Sequence, residues 1–290
     1  MPNPFTAQLL DWFDGNARDL PWRRPGTSAW AVLVSEVMLQ QTPVARVLPA
    51  YAAWLDRWPG PAELAAAPAG EAVRQWGKLG YPRRALRLHA CAQVLVAEHG
   101  GRVPDDLDAL LALPGIGAYT ARAVLAFAYR RRVPVVDINV RRVLARAVAG
   151  LGEAGPPSTA RDLPAMAALL PADEAAAARF CAASMELGAL ICTAATPGCT
   201  SCPVAGHCAW RRAGYPAYAG PTVRRQRFAG TDRQVRGLLL DVLRAATGPV
   251  PAAALDIGWP DSVQLARALD SLVADGLIDP LPDGRFALPA

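Results

Sequence analysis

Four cysteines crowd into one short stretch, CTAATPGCTSCPVAGHC, at Cys192, Cys199, Cys202 and Cys208. No other feature constrains the fold as much, because four thiols this close along a chain must pair as disulfides or converge on a metal. A tetrahedral zinc and an iron–sulfur cluster both take four thiolates from a compact loop. Disulfide frameworks belong to secreted proteins, and MPNPFTAQLLDWFDGNARDL at the start has no basic region, apolar core or cleavage site of a signal peptide. No uninterrupted apolar run approaches the roughly 20 residues of a membrane span. The expectation is a soluble cytoplasmic protein with no membrane partner. Zinc more often takes two C-x2-C knuckles, whereas the spacing here is C-x6-C-x2-C-x5-C; spacing alone leaves zinc and cluster both open. Cys91 and Cys181 lie on helical patterns and are expected to be core thiols.

The rest of the chain reads as helices. Its 52% hydrophobic content is inflated by alanine, and the apolar residues recur at helical spacing. Helices are expected over 5–16, 29–41, 43–57, 84–100, 105–113, 119–129, 138–149 and 172–191, with a short one in PAELAAAP. Thr42 is expected to cap the helix whose first position is Pro43, and Asp137 to cap the helix at 138. Residues 150–164, GLGEAGPPSTARDLP, read as a polar connector. After Cys208 the composition changes. Residues 211–227 carry five arginines in a linker-like stretch, and 232–246 open a small unit that ends in a hairpin near Asp283-Gly284. The length of 290 residues suits about two domains.

Three motifs carry chemistry. LPGIG (113–117) places Gly115 and Gly117 between two helices, where backbone amides and a helix N-terminus can approach a phosphate. As a bare pattern it is equally a tight turn. Asp137, at a helix start, is by itself an ordinary cap; helix amides would also keep its carboxylate ionised. Glu36 is the one charge in WAVLVSEVMLQQTP, where a carboxylate must be paired or stay neutral. Asp137 lies 20 residues beyond Gly117, which resembles the helix–hairpin–helix glycosylase superfamily; that resemblance implies the two carboxyls of glycosidic cleavage, one protonating the leaving group and one stabilising an oxocarbenium ion. On that reading Glu36 has the raised pKa and Asp137 the depressed one. The net charge of +5, carried by 29 arginines and the single lysine Lys78, permits a polyanionic partner.

LPWR (20–23), VSEVMLQQTPV (34–44), LGYPRRALRLH (79–89), LPGIGAYTARAV (113–124), VVDINVRRVLAR (135–146), MELGALIC (185–192) and the cysteine loop resemble, in this order, the MutY adenine DNA glycosylases of the helix–hairpin–helix, endonuclease III superfamily. The resemblance covers about 1–212. It implies an all-α, two-lobed helix–hairpin–helix glycosylase fold with a [4Fe–4S] cluster on Cys192, Cys199, Cys202 and Cys208. It implies base-excision repair: adenine mispaired with 8-oxoguanine or guanine in double-stranded DNA flips out and its N-glycosidic bond is hydrolysed. By position, Glu36 matches the general acid, Asp137 the catalytic aspartate and Asn139 the asparagine following it. Trp22 and Arg23 match the adenine pocket, Leu39 another substrate-binding position, Gln41 the wedge into the base stack, and Tyr81 an aromatic near the opposite base. Gly115 and Gly117 match the hairpin that grips the DNA backbone.

Tyr119 stands where a bifunctional lyase carries the lysine of its Schiff base, so a monofunctional enzyme with little strand cleavage is expected. Ile138 replaces the usual glycine of D-G-N. The resemblance ends before the tail: instead of a NUDIX-like domain, a linker (213–231) leads to a small helical, winged-helix-like unit (232–290). A monomer associated with the nucleoid is expected. Two other readings are a mismatch thymine/uracil glycosylase of the same superfamily and a non-catalytic iron–sulfur protein that binds DNA or senses redox state.

Overall fold

The computed structural model describes residues 3–220 and 228–290. In chain order its helices are α1 (Pro4–Asn16), α2 (Ala29–Leu39), α3 (Val44–Arg57), α4 (Pro61–Ala66), α5 (Ala69–Trp76), α6 (Arg83–His99), α7 (Leu107–Ala112), α8 (Ala118–Phe127), α9 (Ile138–Val143), α10 (Thr159–Ala167), α11 (Glu174–Leu190), α12 (Ala209–Arg212), α13 (Asp232–Ala245) and α14 (Ser262–Ala274). Strands β1 (Val250–Pro251), β2 (Asp279–Pro280) and β3 (Arg285–Ala287) form one antiparallel sheet in the order β1-β3-β2. Among the described residues, no helix is long and apolar enough to cross a membrane. The fold is mostly helical, as the periodicity requires.

The chain divides into two compact units, each assembled from separated segments. Of the described residues, the first comprises 3–32, 105–111 and 116–220. Its core packs Phe5, Leu9 and Phe13 of α1 with Phe180, Ala183 and Leu187 of α11 and Val140 and Val143 of α9. The rings of Phe5 and Phe180 meet edge to face at 6.3 Å, the geometry aromatic quadrupoles prefer. Cys181 belongs to this core, and burial pushes its thiol up to about 11. Cys91, fully buried on α6, is pushed up to about 12.

The second unit comprises, of the described residues, 33–104, 112–115 and 228–290. Trp54 packs edge to face against Trp58 and Trp76, with centroids 4.6 and 5.7 Å away. Residues 228–290 add helix, strand, helix and hairpin, with Val250 opposite Phe286 and Asp279 opposite Ala287. That order is the winged-helix-like one expected. This segment joins α5 by mutual capping of helix ends. Arg74 of α5 donates to the carbonyls of Leu243, Arg244 and Ala246 at the end of α13, and Arg244 donates back to Val73 at 3.1 Å. The orphan amides of Ala69 and Gly70, which open α5, donate to the carbonyls of Ala290 and Pro289. Helix termini leave such groups unsatisfied, so each element completes the other.

Two local expectations are corrected. Thr42 does not cap α3; its N-cap position is Pro43. The Thr42 hydroxyl instead donates to Leu79 O at 3.1 Å and accepts from Arg84. The stretch read as a connector contains the start of α10, which carries Pro164 in its interior. Of the expected linker, residues 221–227, with Arg224, Arg225 and Arg227, lie outside the described residues.

Candidate active site

Asp137 caps α9, as its position predicts. One carboxylate oxygen accepts from the amide of Val140 at 2.7 Å, the other from Asn139 Nδ2 at 2.8 Å. Asn139 is itself held: its Oδ1 accepts from Arg142 at 2.8 Å, and Arg142 also donates to the carbonyls of Gly188 and Cys192. Gly188 lets α11 come this near, since a Cβ there would lie 2.8 Å from Asn139 O. Burial pushes the Asp137 carboxyl above its ordinary 3.8, against the hydrogen bonds from Val140 and Asn139 and the charge of Arg142. The expected depression is therefore reversed, because desolvation outweighs the cap. Ile138, beside it, is 71% exposed.

Glu36 lies on α2 in the second unit and is buried, only 6% exposed. Leu39, half-buried, is the last residue of α2, and Gln41 follows in the exposed turn. The end of α2 is fixed by Arg84, whose guanidinium donates to the carbonyls of Val37, Met38, Gln40 and Gly80 at 2.7, 3.1, 2.8 and 3.0 Å. Burial lowers the Arg84 pKa to about 10. Gln41 and Tyr81 both take left-handed backbone conformations, φ 55° and 48°. The Tyr81 hydroxyl donates to Gln41 Oε1 at 2.8 Å. The structure thus brings these two predicted residues together.

Trp22 and Arg23 form a tight turn in the first unit, with Trp22 buried. Arg23 donates to Glu186 at 3.0 Å, and Arg18 clasps the same carboxylate through two side-chain nitrogens at 2.7 and 2.8 Å. Glu186 is fully buried; burial opposes its charge, but Arg18 and Arg23 hold its carboxyl down at about 2. Sequence reading missed Glu186, Arg142 and Arg84. Glu186 carried a readable signal, a lone carboxylate among apolar residues on a helix. Arg84 and Arg142 carried none, because most of their partners are backbone carbonyls supplied by folding.

Gly115 has φ +77°, and a Cβ on it would lie 2.7 Å from Arg87 Cβ, so only glycine fits. Gly117 has φ −93° and caps α8, and a Cβ there would meet nothing within 4 Å. That clear approach to helix amides suits an anion. Tyr119 sits half-buried in the first turn of α8.

Cys192, Cys199, Cys202 and Cys208 line one cavity of the first unit, with about 420 Å³ of empty space counted to its open mouth. Arg146 reaches into this loop. It lies 3.6 Å from Cys192 Sγ, donates to the carbonyls of Thr193 and Ala194, and stacks over Trp210. Among the described residues, no three His, Cys, Asp or Glu side chains are close enough to hold one metal ion.

A profile of the HhH-GPD superfamily base excision DNA repair protein matches residues 34–164. Over 284 residues the chain is 60% identical to the adenine DNA glycosylase of Mycolicibacterium smegmatis, covering 97% of this chain and 95% of that one. It is 58% identical to the adenine DNA glycosylase of Mycobacterium tuberculosis, over 98% of this chain and 93% of the relative. A solved thermostable thymine-DNA glycosylase superposes with a TM-score of 0.65 at 27% identity, covering 72% of this chain and 95% of the other.

Proposed function

The chain belongs to the HhH-GPD superfamily of base excision DNA repair proteins and, within it, to the adenine DNA glycosylases; from that premise we propose that it binds duplex DNA as a monomer, flips out an adenine mispaired with 8-oxoguanine or guanine, and hydrolyses its N-glycosidic bond. The thymine-acting neighbour is far less similar, at 27% identity against 60%, and the thymine/uracil reading is not favoured.

The observation that carries the mechanism is the fixing of Asp137 from both sides, by Val140 and by Asn139. Glu36 protonates the adenine, which makes it a better leaving group, a general-acid contribution of about 10²–10⁴-fold. Asp137, ionised, faces the developing oxocarbenium charge; its two hydrogen bonds leave the carboxylate no rotational freedom. The Gly115–Gly117 hairpin grips backbone phosphate, which positions the DNA without reading sequence. Trp22, Arg23 and Leu39 line the adenine, while Gln41 and Tyr81 enter the stack it vacates. Lys78, the single lysine, pairs with Asp241 at 3.4 Å. With Tyr119 on α8 instead of an amine, the reaction stops at an abasic site.

The four thiols suit a [4Fe–4S] cluster, which when bound would cross-link the loop. One zinc would draw four sulfurs to about 2.3 Å from a single point, whereas a cluster takes each thiolate at a separate iron. The cationic Arg146 beside Cys192 fits a thiolate set. Iron analysis of purified protein should give about four irons per chain and no stoichiometric zinc.

The test of function is single-turnover excision from duplexes with A opposite 8-oxoguanine, A opposite G, T opposite G and U opposite G, followed by alkaline cleavage. Adenine strands alone should be cut, and only after alkali. Asp137→Asn should bind the duplex and leave adenine in place. Cutting confined to thymine or uracil strands would overturn the reading.

A further inference from the structure

Residues 228–290 contain five arginines, and four are neutralised: Arg236 pairs with Asp275, Arg244 with Asp241, Arg267 with Asp232 and Arg285 with Asp283. Arg233, exposed near the start of α13, has no carboxylate partner among the described residues. Its Nη1 donates to the Tyr81 hydroxyl at 3.0 Å, and its guanidinium lies 5.7 Å from the Tyr81 ring centroid and 5.5 Å from that of Phe228. Both rings are open to solvent, Tyr81 at 44% and Phe228 at 55%. Tyr81 donates onward to Gln41. A polar chain therefore runs from α13 through Tyr81 to the turn after α2, across two non-glycine residues in left-handed conformations. Strain of this kind persists where surrounding structure enforces it and clusters at functional sites. Arg84, bonded to the carbonyls of Gln40 and Gly80, is the enforcing group.

An exposed cation with no counter-charge among the described residues, in contact with two exposed rings, matches a nucleic acid, which offers acceptors and stacking faces together. Its connection favours the base over the backbone. Arg233 is bonded to Tyr81 and through it to Gln41, the pair that enters the duplex in the function proposed above, and a guanidinium's parallel donors match the O6 and N7 acceptors of guanine. In 8-oxoguanine N7 carries a proton and C8 a carbonyl, so the edge presented to such a cation changes. We propose that Arg233 is a specificity-determining residue which, through Tyr81 and Gln41, sets how the enzyme discriminates the purine opposite the excised adenine. This rests on the adenine-excision reading and adds a role for the tail.

The experiment compares single-turnover excision of adenine opposite 8-oxoguanine and opposite guanine by wild type, Arg233→Ala, Arg233→Lys, Tyr81→Phe and the Ala/Phe double variant. Arg233→Ala should change the ratio of the two rates by about tenfold, the scale of one base contact. Tyr81→Phe should change it similarly, the double variant little further, and Arg233→Lys should recover part of the ratio. An unaltered melting temperature separates this from a folding defect, as the side chain is exposed. Equal slowing on both duplexes, with a shallower salt dependence, would mark a phosphate contact and overturn the proposal; an unchanged ratio would overturn it too. Failure of wild type to release adenine from any duplex would instead remove the parent reading, and the proposal with it.

Discussion

Asp137 and Glu186 are carboxylates of the same unit driven in opposite directions by their surroundings. Asp137 meets the backbone amides of Val140 and Asn139, the Asn139 side chain and the charge of Arg142, which together do not offset its burial, and its carboxyl is raised. Glu186, fully buried, meets two guanidinium groups, which do, and its carboxyl is held at about 2. The signs have separate consequences. Excision needs Asp137 ionised, so activity should fall with acid at a pH above the ordinary 3.8 of an aspartate. Asn139→Ala removes a bond that favours the ionised form and should move that acid limb higher still; single-turnover rates against pH report both. Glu186 instead contributes stability in full above the 4.5 of a free glutamate, lost as pH falls toward about 2. Glu186→Gln should lower neutral-pH stability by about 3 kcal/mol, the low end for breaking a buried pair because Arg18 is partly exposed. It should also flatten the dependence of stability on pH in that window, as read by denaturant unfolding.

At the scale of elements, the two glycines of the hairpin separate a folding role from a binding role. Gly115→Ala forces a side chain into a left-handed conformation against Arg87 and should destabilise by about 1–2 kcal/mol. Gly117→Ala meets neither obstacle. It should lower the melting temperature only slightly, the cost of alanine at an N-cap, while its methyl group, standing in the phosphate's approach, weakens DNA binding by about tenfold, the scale of one amide–phosphate hydrogen bond. Most elements were legible because their cause is local. The period of α6 and α11, the cap at Asp137 and the turn at Gly284 are all written within a few residues. Thr42 misled because its hydroxyl is bonded to Leu79, 37 residues away, and α10 was hidden by Pro164 and the prolines before it. For the candidate site, motif order assigned the residues, but the groups that hold them escaped. Arg142 orients Asn139 through its own fixing on α11, and nothing in VVDINVRRVLAR distinguishes it from Arg141.

For the whole molecule, the tail, expected as a small unit beyond a linker, is joined to α5 through bonds between residues 169 apart in sequence, a relation that no local pattern expresses. Arg74→Ala would strand the last carbonyls of α13 and should destabilise the docked segment by about 1–3 kcal/mol. The expected signature is faster amide exchange and earlier proteolysis in 228–290, with the first unit unaffected. Uniform loss of protection throughout the chain would mean that the two units unfold together. The carbonyls of Pro289 and Ala290 that cap α5 also set an order of events during synthesis. The four thiols have all been made once Cys208 has been added, whereas α5 waits some two hundred residues for its caps. A nascent chain therefore holds a complete cysteine cradle before its second unit can close.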